Sequence, residues 1–315
     1  MASAYGADVP AGRGAASSRL LLAPLVLAWG FNYLFVNVGL GFASPLWLAF
    51  LRAGVGCAGT AALVLVLRPA PYLDARGRRD ALLLGLPNTG FFFALWFVAA
   101  ERVPPGLAAV FVYTFPLWVA LLSAPLLGHQ LSRLHWVSVV VGFVGVAVIA
   151  QVWSLLATSV DPLSVVLLLF GALSWALGTV LFQRRFAGEH AVEGNAWGLL
   201  GGAAFLAVAT LVIEPTPIPR FGAPPLWAAI VWLGLVGTAC AYSIWYSLLG
   251  RFRAATLSAY VVLVPVVALA ASAVFFAERL DALQLVGVGL VLVSILGISR
   301  AGAAELPARS ARGNP

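Results

Sequence analysis

Apolar runs of about twenty residues recur along almost the whole chain, and they constrain its fold more than any other feature. A run of about 18 or more apolar residues is long enough to cross a bilayer as a helix. The chain has 315 residues, 62% of them hydrophobic and 9% charged, with a mean hydropathy of +1.02. A soluble domain needs far more charge on its surface. Length alone would suggest two soluble domains, but the hydropathy overrides it. The expected fold class is an all-α integral membrane protein with spans near 20–40, 45–67, 81–100, 105–127, 134–151, 163–183, 195–213, 225–248, 254–277 and 283–300. The run at 20–40 is too long for a signal-peptide core and carries Asn32, Tyr33 and Asn37, so it reads as an uncleaved first helix. Residues 1–19 and 301–315 are rich in small and polar residues and read as disordered tails.

Every strong base is arginine. With the N-terminus placed in the cytoplasm, 14 arginines fall in cytoplasmic segments, and 3 (Arg102, Arg220 and Arg279) fall outside. This bias is the positive-inside pattern, and it predicts that both termini are cytoplasmic. It also accounts for the basic pI of about 10.1, and nucleic acid is not an expected partner. Cys57 and Cys240 lie within apolar runs, and His129, His135 and His190 are dispersed. Neither a disulfide framework nor a metal site is expected. With no Walker A motif, no HExxH and no convergent acids, histidines or cysteines at membrane depth, no enzyme and no cofactor is expected.

The chain also repeats itself. Residues 106–150 align with 255–299 so that Pro116 falls on Pro265 and "HQLSRL" (129–134) on "ERLDAL" (278–283), with a constant offset of 149. "LAWGFNYLF" (27–35) resembles "LSWALGTVLF" (173–182), pairing Trp29 with Trp175. An odd number of helices per half forces the second half to enter the membrane from the opposite side. The expectation is therefore two inverted five-helix repeats, 20–151 and 163–300, with a substrate site near the midplane.

These motifs carry a resemblance. "AWGFNYLFVNVGL", "PLWLAFLRAG", "VPPGLAAVFVYTFPLWVALLSAPLLG" and "LVPVVALAASAVFFAERL" occur in order, and over residues 20–300 the chain resembles the ten-helix, EamA-type members of the drug/metabolite transporter superfamily. The resemblance implies a metabolite transporter of the bacterial inner membrane, with export favoured. Where this family usually has an acidic residue at the end of the fourth helix, this chain has His129; Glu278 keeps the acid in the ninth.

One residue breaks the second apolar run. Arg52 lies about 10 Å along the helix from Pro45, at about 1.5 Å per residue. An arginine at membrane depth costs about 2.5–3.5 kcal/mol on insertion scales and must face a partner or water. It reads either as a structural arginine that snorkels outward or binds carbonyls at a helix end, or as a fixed charge on a substrate path. Polar and aromatic residues form stripes at helical spacing: Trp29, Tyr33 and Asn37, with Asn32 beside them; Asn88, Thr89, Phe92 and Trp96; Trp175, Thr179 and Gln183; Thr238, Tyr242 and Tyr246. Singly, such residues fit interhelical packing; together they outline a cavity. The substrate-binding candidates are Arg52, Asn32, Tyr33, Asn88, Tyr113, Trp175, Tyr242 and Tyr246. Pro116 and Pro265, read as mid-helix, are hinge candidates or packing kinks.

The function expected is secondary transport, by alternating access, of a small polar metabolite such as an amino acid. Efflux of cationic drugs is one alternative, and a non-transporting membrane scaffold is another. The expected partners are a small-molecule substrate and the lipid bilayer, with a homodimer left open.

Overall fold

The computed structural model describes residues 21–67, 72–128, 132–149, 161–186, 190–249, 257, 261 and 263–304. Ten apolar helices account for nearly all of them, and no strand occurs among the described residues. Seven are long and apolar enough to cross a membrane: α1 (Leu22–Leu40), α2 (Pro45–Leu67), α3 (Ala75–Ala100), α4 (Pro105–Leu127), α6 (Pro162–Phe186), α7 (Ala191–Ile213) and α8 (Pro224–Leu249). The apolar parts of α5 (Arg133–Ile149), α9 (Leu263–Phe276) and α10 (Ala282–Ala304) are shorter. His129, residues 1–19 and residues 305–315 lie outside the described residues, whereas residues 301–304, expected in the C-terminal tail, continue α10 as helix.

The helix starts follow local chemistry. Proline opens α2, α4, α6 and α8, where its missing N–H would be unpaired in any case. Asp74 caps α3 by accepting from Gly77 N at 2.7 Å, and the helix begins at Ala75, six residues before the hydropathy signal. Asp281 and Gln284 form a reciprocal capping box on α10 (2.7 and 3.1 Å). Asp161 accepts from the Ser164 hydroxyl (2.6 Å) and backbone N–H (3.1 Å). The hydroxyl bond is the leading reason its carboxyl titrates below the usual carboxylate range. Gly128 ends α4 in the left-handed conformation, φ 71°, which favours glycine.

Two helix starts are capped from other helices. Glu214, just past α7, accepts from Leu46 N at 2.9 Å, and Glu278, just past α9, accepts from Gly106 N (2.9 Å) and Leu107 N (3.2 Å). A carboxylate there meets unpaired N–H groups and the positive end of the helix dipole. Arg102 and Asp161 (3.9 Å) lie at this same end of the bundle. At the other end, Arg185 pairs with Asp80 (2.9 Å), and Glu193 accepts from Leu73 N (2.9 Å).

Glycines set the helix spacing. A Cβ on Gly85 of α3 would meet the Gly198 carbonyl of α7, and one on Gly202 would meet Thr89 and the Gly85 carbonyl. On α2, a Cβ on Gly56 would meet Thr238 and the Gly234 carbonyl of α8. Gly237 of α8 backs onto Asn32 of α1, and Gly178 of α6 onto Asn88 of α3. Between α5 and α10, Gly145 faces the Gly287 backbone, and the Ser294 hydroxyl donates to Ser138 O. Small residues allow such approach where packing and hydrogen bonds, rather than hydrophobic contrast with lipid, hold helices together.

Three helices depart from regular geometry. Residues Leu86–Phe91 of α3 and Trp232–Cys240 of α8 are π-helical. α4 is interrupted at Tyr113 and Thr114, dividing it into Pro105–Val112 and Phe115–Leu127. Pro116 is therefore not mid-helix as the sequence suggested. It is the second residue of the new segment, in the first turn, where a missing N–H costs little. The Thr114 hydroxyl donates to Phe111 O at 2.7 Å across the break. Pro265 is the third residue of α9, close to its start.

Candidate functional site

A cavity at the centre of the bundle is lined by Trp29, Asn32, Tyr33, Arg52, Phe92, Trp96, Val112, Tyr113, Trp175 and Tyr242. It draws on α1, α2, α3, α6 and α8, and on the end of the first α4 segment together with the break that follows it. Its walls are aromatic. Trp29 meets Trp175 edge-on at 5.4 Å, Phe92 stacks on Trp175 at 5.0 Å, and Tyr33 lies 4.8 Å from Trp96. The free volume is about 10 Å³ for water-sized spheres, which is room for about one water molecule. Every residue lining the cavity is buried.

Arg52 supplies the charge. It is 1% exposed, and no carboxylate pairs with it among the described residues. Its Nε donates to Thr238 Oγ1 at 3.0 Å. With the Asn32 amide oriented by its hydrogen bonds, the Asn32 oxygen accepts from Arg52 Nη2 at 3.3 Å, and the amide nitrogen donates to Ala28 O at 3.1 Å. The guanidinium carbon lies 4.1 Å from the Phe93 ring centre, 4.9 Å from Trp96 and 5.7 Å from Phe97. A desolvated cation over aromatic faces gains about 2 kcal/mol or more. Nη1 has no hydrogen-bond partner. The site thus offers one unpartnered terminal nitrogen of a buried cation, with its two N–H donors, inside an aromatic box. Chemically it suits an acceptor-rich anionic group, above all a carboxylate, which guanidinium binds with matched planar geometry.

Six of the eight sequence candidates line the cavity: Arg52, Asn32, Tyr33, Tyr113, Trp175 and Tyr242. The other two are buried but do not line it. Asn88 lies against Gly178, and Tyr246 packs on Phe182 with ring centres 4.1 Å apart. Phe93 and Phe97, which face the guanidinium, and Val112 were not expected; phenylalanine and valine in an apolar run carry no signal separating cavity from lipid. Among the described residues, no group of three His, Cys, Asp or Glu side chains is placed to hold a metal ion.

Membrane-length apolar helices around a buried, charged, aromatic-walled centre define a multi-pass membrane protein. The EamA-like transporter family model matches residues 17–151 and 162–300, and the chain belongs to that family. It is 27% identical over 282 residues to the uncharacterized transporter YvbV of Bacillus subtilis, covering 88% of this chain and 90% of the relative. It is 30% identical over 284 residues to a probable amino-acid metabolite efflux pump of Escherichia coli, covering 86% and 91%. The uncharacterized inner membrane transporter YedA of E. coli is 26% identical over 278 residues, covering 86% and 87%. One solved crystal structure superposes with a TM-score of 0.68 at 21% identity, covering 91% of this chain and 99% of that one, which marks a shared fold. The protein is a membrane transporter.

Proposed function

We propose that the protein is a secondary transporter that exports a small polar metabolite bearing a carboxylate, such as an amino acid, across the bacterial inner membrane by alternating access. The observation that carries this reading is Arg52 Nη1, a buried guanidinium nitrogen without a hydrogen-bond partner, on a side chain that lines an aromatic cavity. An amino acid would place its carboxylate on Arg52 and the rest of the molecule among the tyrosine, tryptophan and asparagine side chains. The buried cavity has room for about one water, so loading requires the helices to part on one side and then on the other.

Alternating access is further supported by an internal symmetry. We read the chain as ten crossings in two inverted halves, 20–151 and 163–300. Shifting α1 and α2 by the Trp29-to-Trp175 offset of 146, and α3 to α5 by the Pro116-to-Pro265 offset of 149, carries one set of contacts onto another. Gly56 against Thr238 and Gly234 becomes Gly202 against Thr89 and Gly85. Asn32 against Gly237 becomes Gly178 against Asn88, with the residue types exchanged. Gly145 against Gly287 becomes Ser294 against Ser138. The two π-helical segments also correspond. Halves related in this way can exchange conformations, which is how inverted-repeat transporters face each side of the membrane in turn. Pro116 and Pro265, at the start of corresponding helical segments, remain the candidates for the bending points of such an exchange.

Two experiments test the reading. Reporter fusions after Arg79 and Arg185 are expected in the cytoplasm, and fusions near Asp161 and Arg220 on the outer side; one reproducible reversal ends the inverted-repeat reading. Purified protein in liposomes is expected to move at least one amino acid or organic acid and to ignore lipophilic cationic dyes such as ethidium. Dye transport without any response to carboxylate-bearing solutes would favour cation efflux, since aromatic cages hold cations without an acid. Movement of neither would leave the scaffold reading.

A further inference from the structure

We propose that Thr238 is the positioning residue for the Arg52 guanidinium, a fixed hydrogen-bond acceptor that aims the free Nη1 at a substrate carboxylate. The inference rests on the transporter reading above and adds to it a specific residue outside the cavity wall.

A threonine hydroxyl ordinarily turns to serve as donor or acceptor, whichever its surroundings need. Thr238 has lost that freedom on three sides. Its proton is committed to Leu233 O at 2.7 Å, five residues earlier in the same π-helical segment. Its Cγ2 methyl rests against Gly56, one turn beyond Arg52 on α2, where any larger residue would collide with it. What remains of the hydroxyl is a lone pair, and Arg52 Nε lies 3.0 Å from it.

Nε is the guanidinium nitrogen closest to the aliphatic stem, so a bond there fixes how the planar group turns about its own chain. Asn32 holds Nη2, and the Phe93 ring covers the group at 4.1 Å. With one edge, one terminal nitrogen and one face engaged, Nη1 is left with a single direction. The corresponding threonine of the other half, Thr89, faces Gly202 in the same way, but the residue matching Arg52 is Gly198, which has no side chain to orient.

Thr238→Val keeps the branched shape against Gly56 and removes the acceptor; Thr238→Ser keeps the hydroxyl and drops the methyl. Each variant, with Arg52→Gln and the double variant Thr238→Val/Arg52→Gln, is reconstituted in liposomes and assayed against radiolabelled samples of the twenty standard amino acids. For the solutes that wild-type protein moves, Thr238→Val is expected to raise KM about tenfold with the maximal rate within about twofold. Thr238→Ser should stay within about twofold in both. In the Arg52→Gln background, adding Thr238→Val should cost nothing further, because a residue acting through Arg52 has nothing left to act on. If Thr238→Val does not reach the membrane, Thr238→Cys, with a small side chain and a poor acceptor, takes its place with the same expectation. A wild-type KM in Thr238→Val, a serine variant as impaired as the valine one, or additive losses in the double variant would each overturn the inference while leaving the transporter reading intact. Wild-type protein that moves none of the twenty would remove the amino-acid reading and this inference with it.

Discussion

Arg52→Gln is expected to reduce transport at least tenfold while membrane abundance stays normal. Glutamine keeps a long polar side chain in the slot between Thr238 and Asn32 and removes only the charge and the forked donors. Folding should tolerate the change, because the charge has no carboxylate partner among the described residues to leave stranded in the bilayer. The substrate, by contrast, loses a charge-assisted hydrogen bond in a buried cavity. A loss of about 1.4 kcal/mol already corresponds to tenfold in affinity, and charge-assisted bonds typically exceed that. The check is uptake into liposomes at matched protein content, with abundance read by size-exclusion profile. Normal transport would make Arg52 structural. Loss of the folded protein would mean that the guanidinium stabilises the bundle, through its aromatic neighbours or through Thr238 and Asn32.

The second large effect is on folding. Gly85→Val is expected to abolish most of the folded protein, and Gly85→Ala to reduce it clearly. A Cβ at Gly85 would meet backbone of α7, the carbonyl of Gly198 and the N–H of Gly202, and no side chain there can swing aside. Overpacking of this kind costs about 1–3 kcal/mol, and more when backbone must move. Gly54, on α2, has nothing within 4 Å of the corresponding position and serves as the control; Gly54→Ala should extract and elute like wild type. The measurement is the monodisperse fraction after detergent extraction at rising temperature. Gly85→Val behaving like Gly54→Ala would mean that α3 and α7 do not pack as described.

Much of the architecture was legible because lipid imposes a simple rule: backbone polar groups must be satisfied within the segment, so apolar runs become helices. The same rule made Arg52 conspicuous, since a guanidinium among apolar residues must be accounted for. The aromatic and polar stripes led to the cavity at Trp29 and Tyr33 in α1 and at Trp175 in α6, but Asn37, Thr179 and Gln183, further along the same helices, do not line it. Asn88 does not line the cavity, and its local geometry gives a physical reason. It lies in the π-helical segment Leu86–Phe91, whose wider turn rotates it off the face shared by Phe92 and Trp96 and onto Gly178. Tyr246 lies one turn beyond Tyr242, past the end of the cavity, and fills space beside Phe182. The early start of α3 was hidden because the segment "ARGRRD" is polar, and its signal was the capping Asp74 rather than hydropathy. Pro116 lies in the first turn of the second α4 segment, just past the break at Tyr113 and Thr114, and Tyr113 lines the cavity.

The central claim is that a carboxylate-bearing solute binds at Arg52, and binding can be measured without transport. Trp29, Trp96 and Trp175 line the cavity, so a ligand there must alter their fluorescence. Titrating purified protein in detergent with amino acids and organic acids should give a saturable change for at least one of them, with affinity lowered tenfold or more in Arg52→Gln. Saturable binding of the same solute with unchanged affinity in Arg52→Gln would contradict the account.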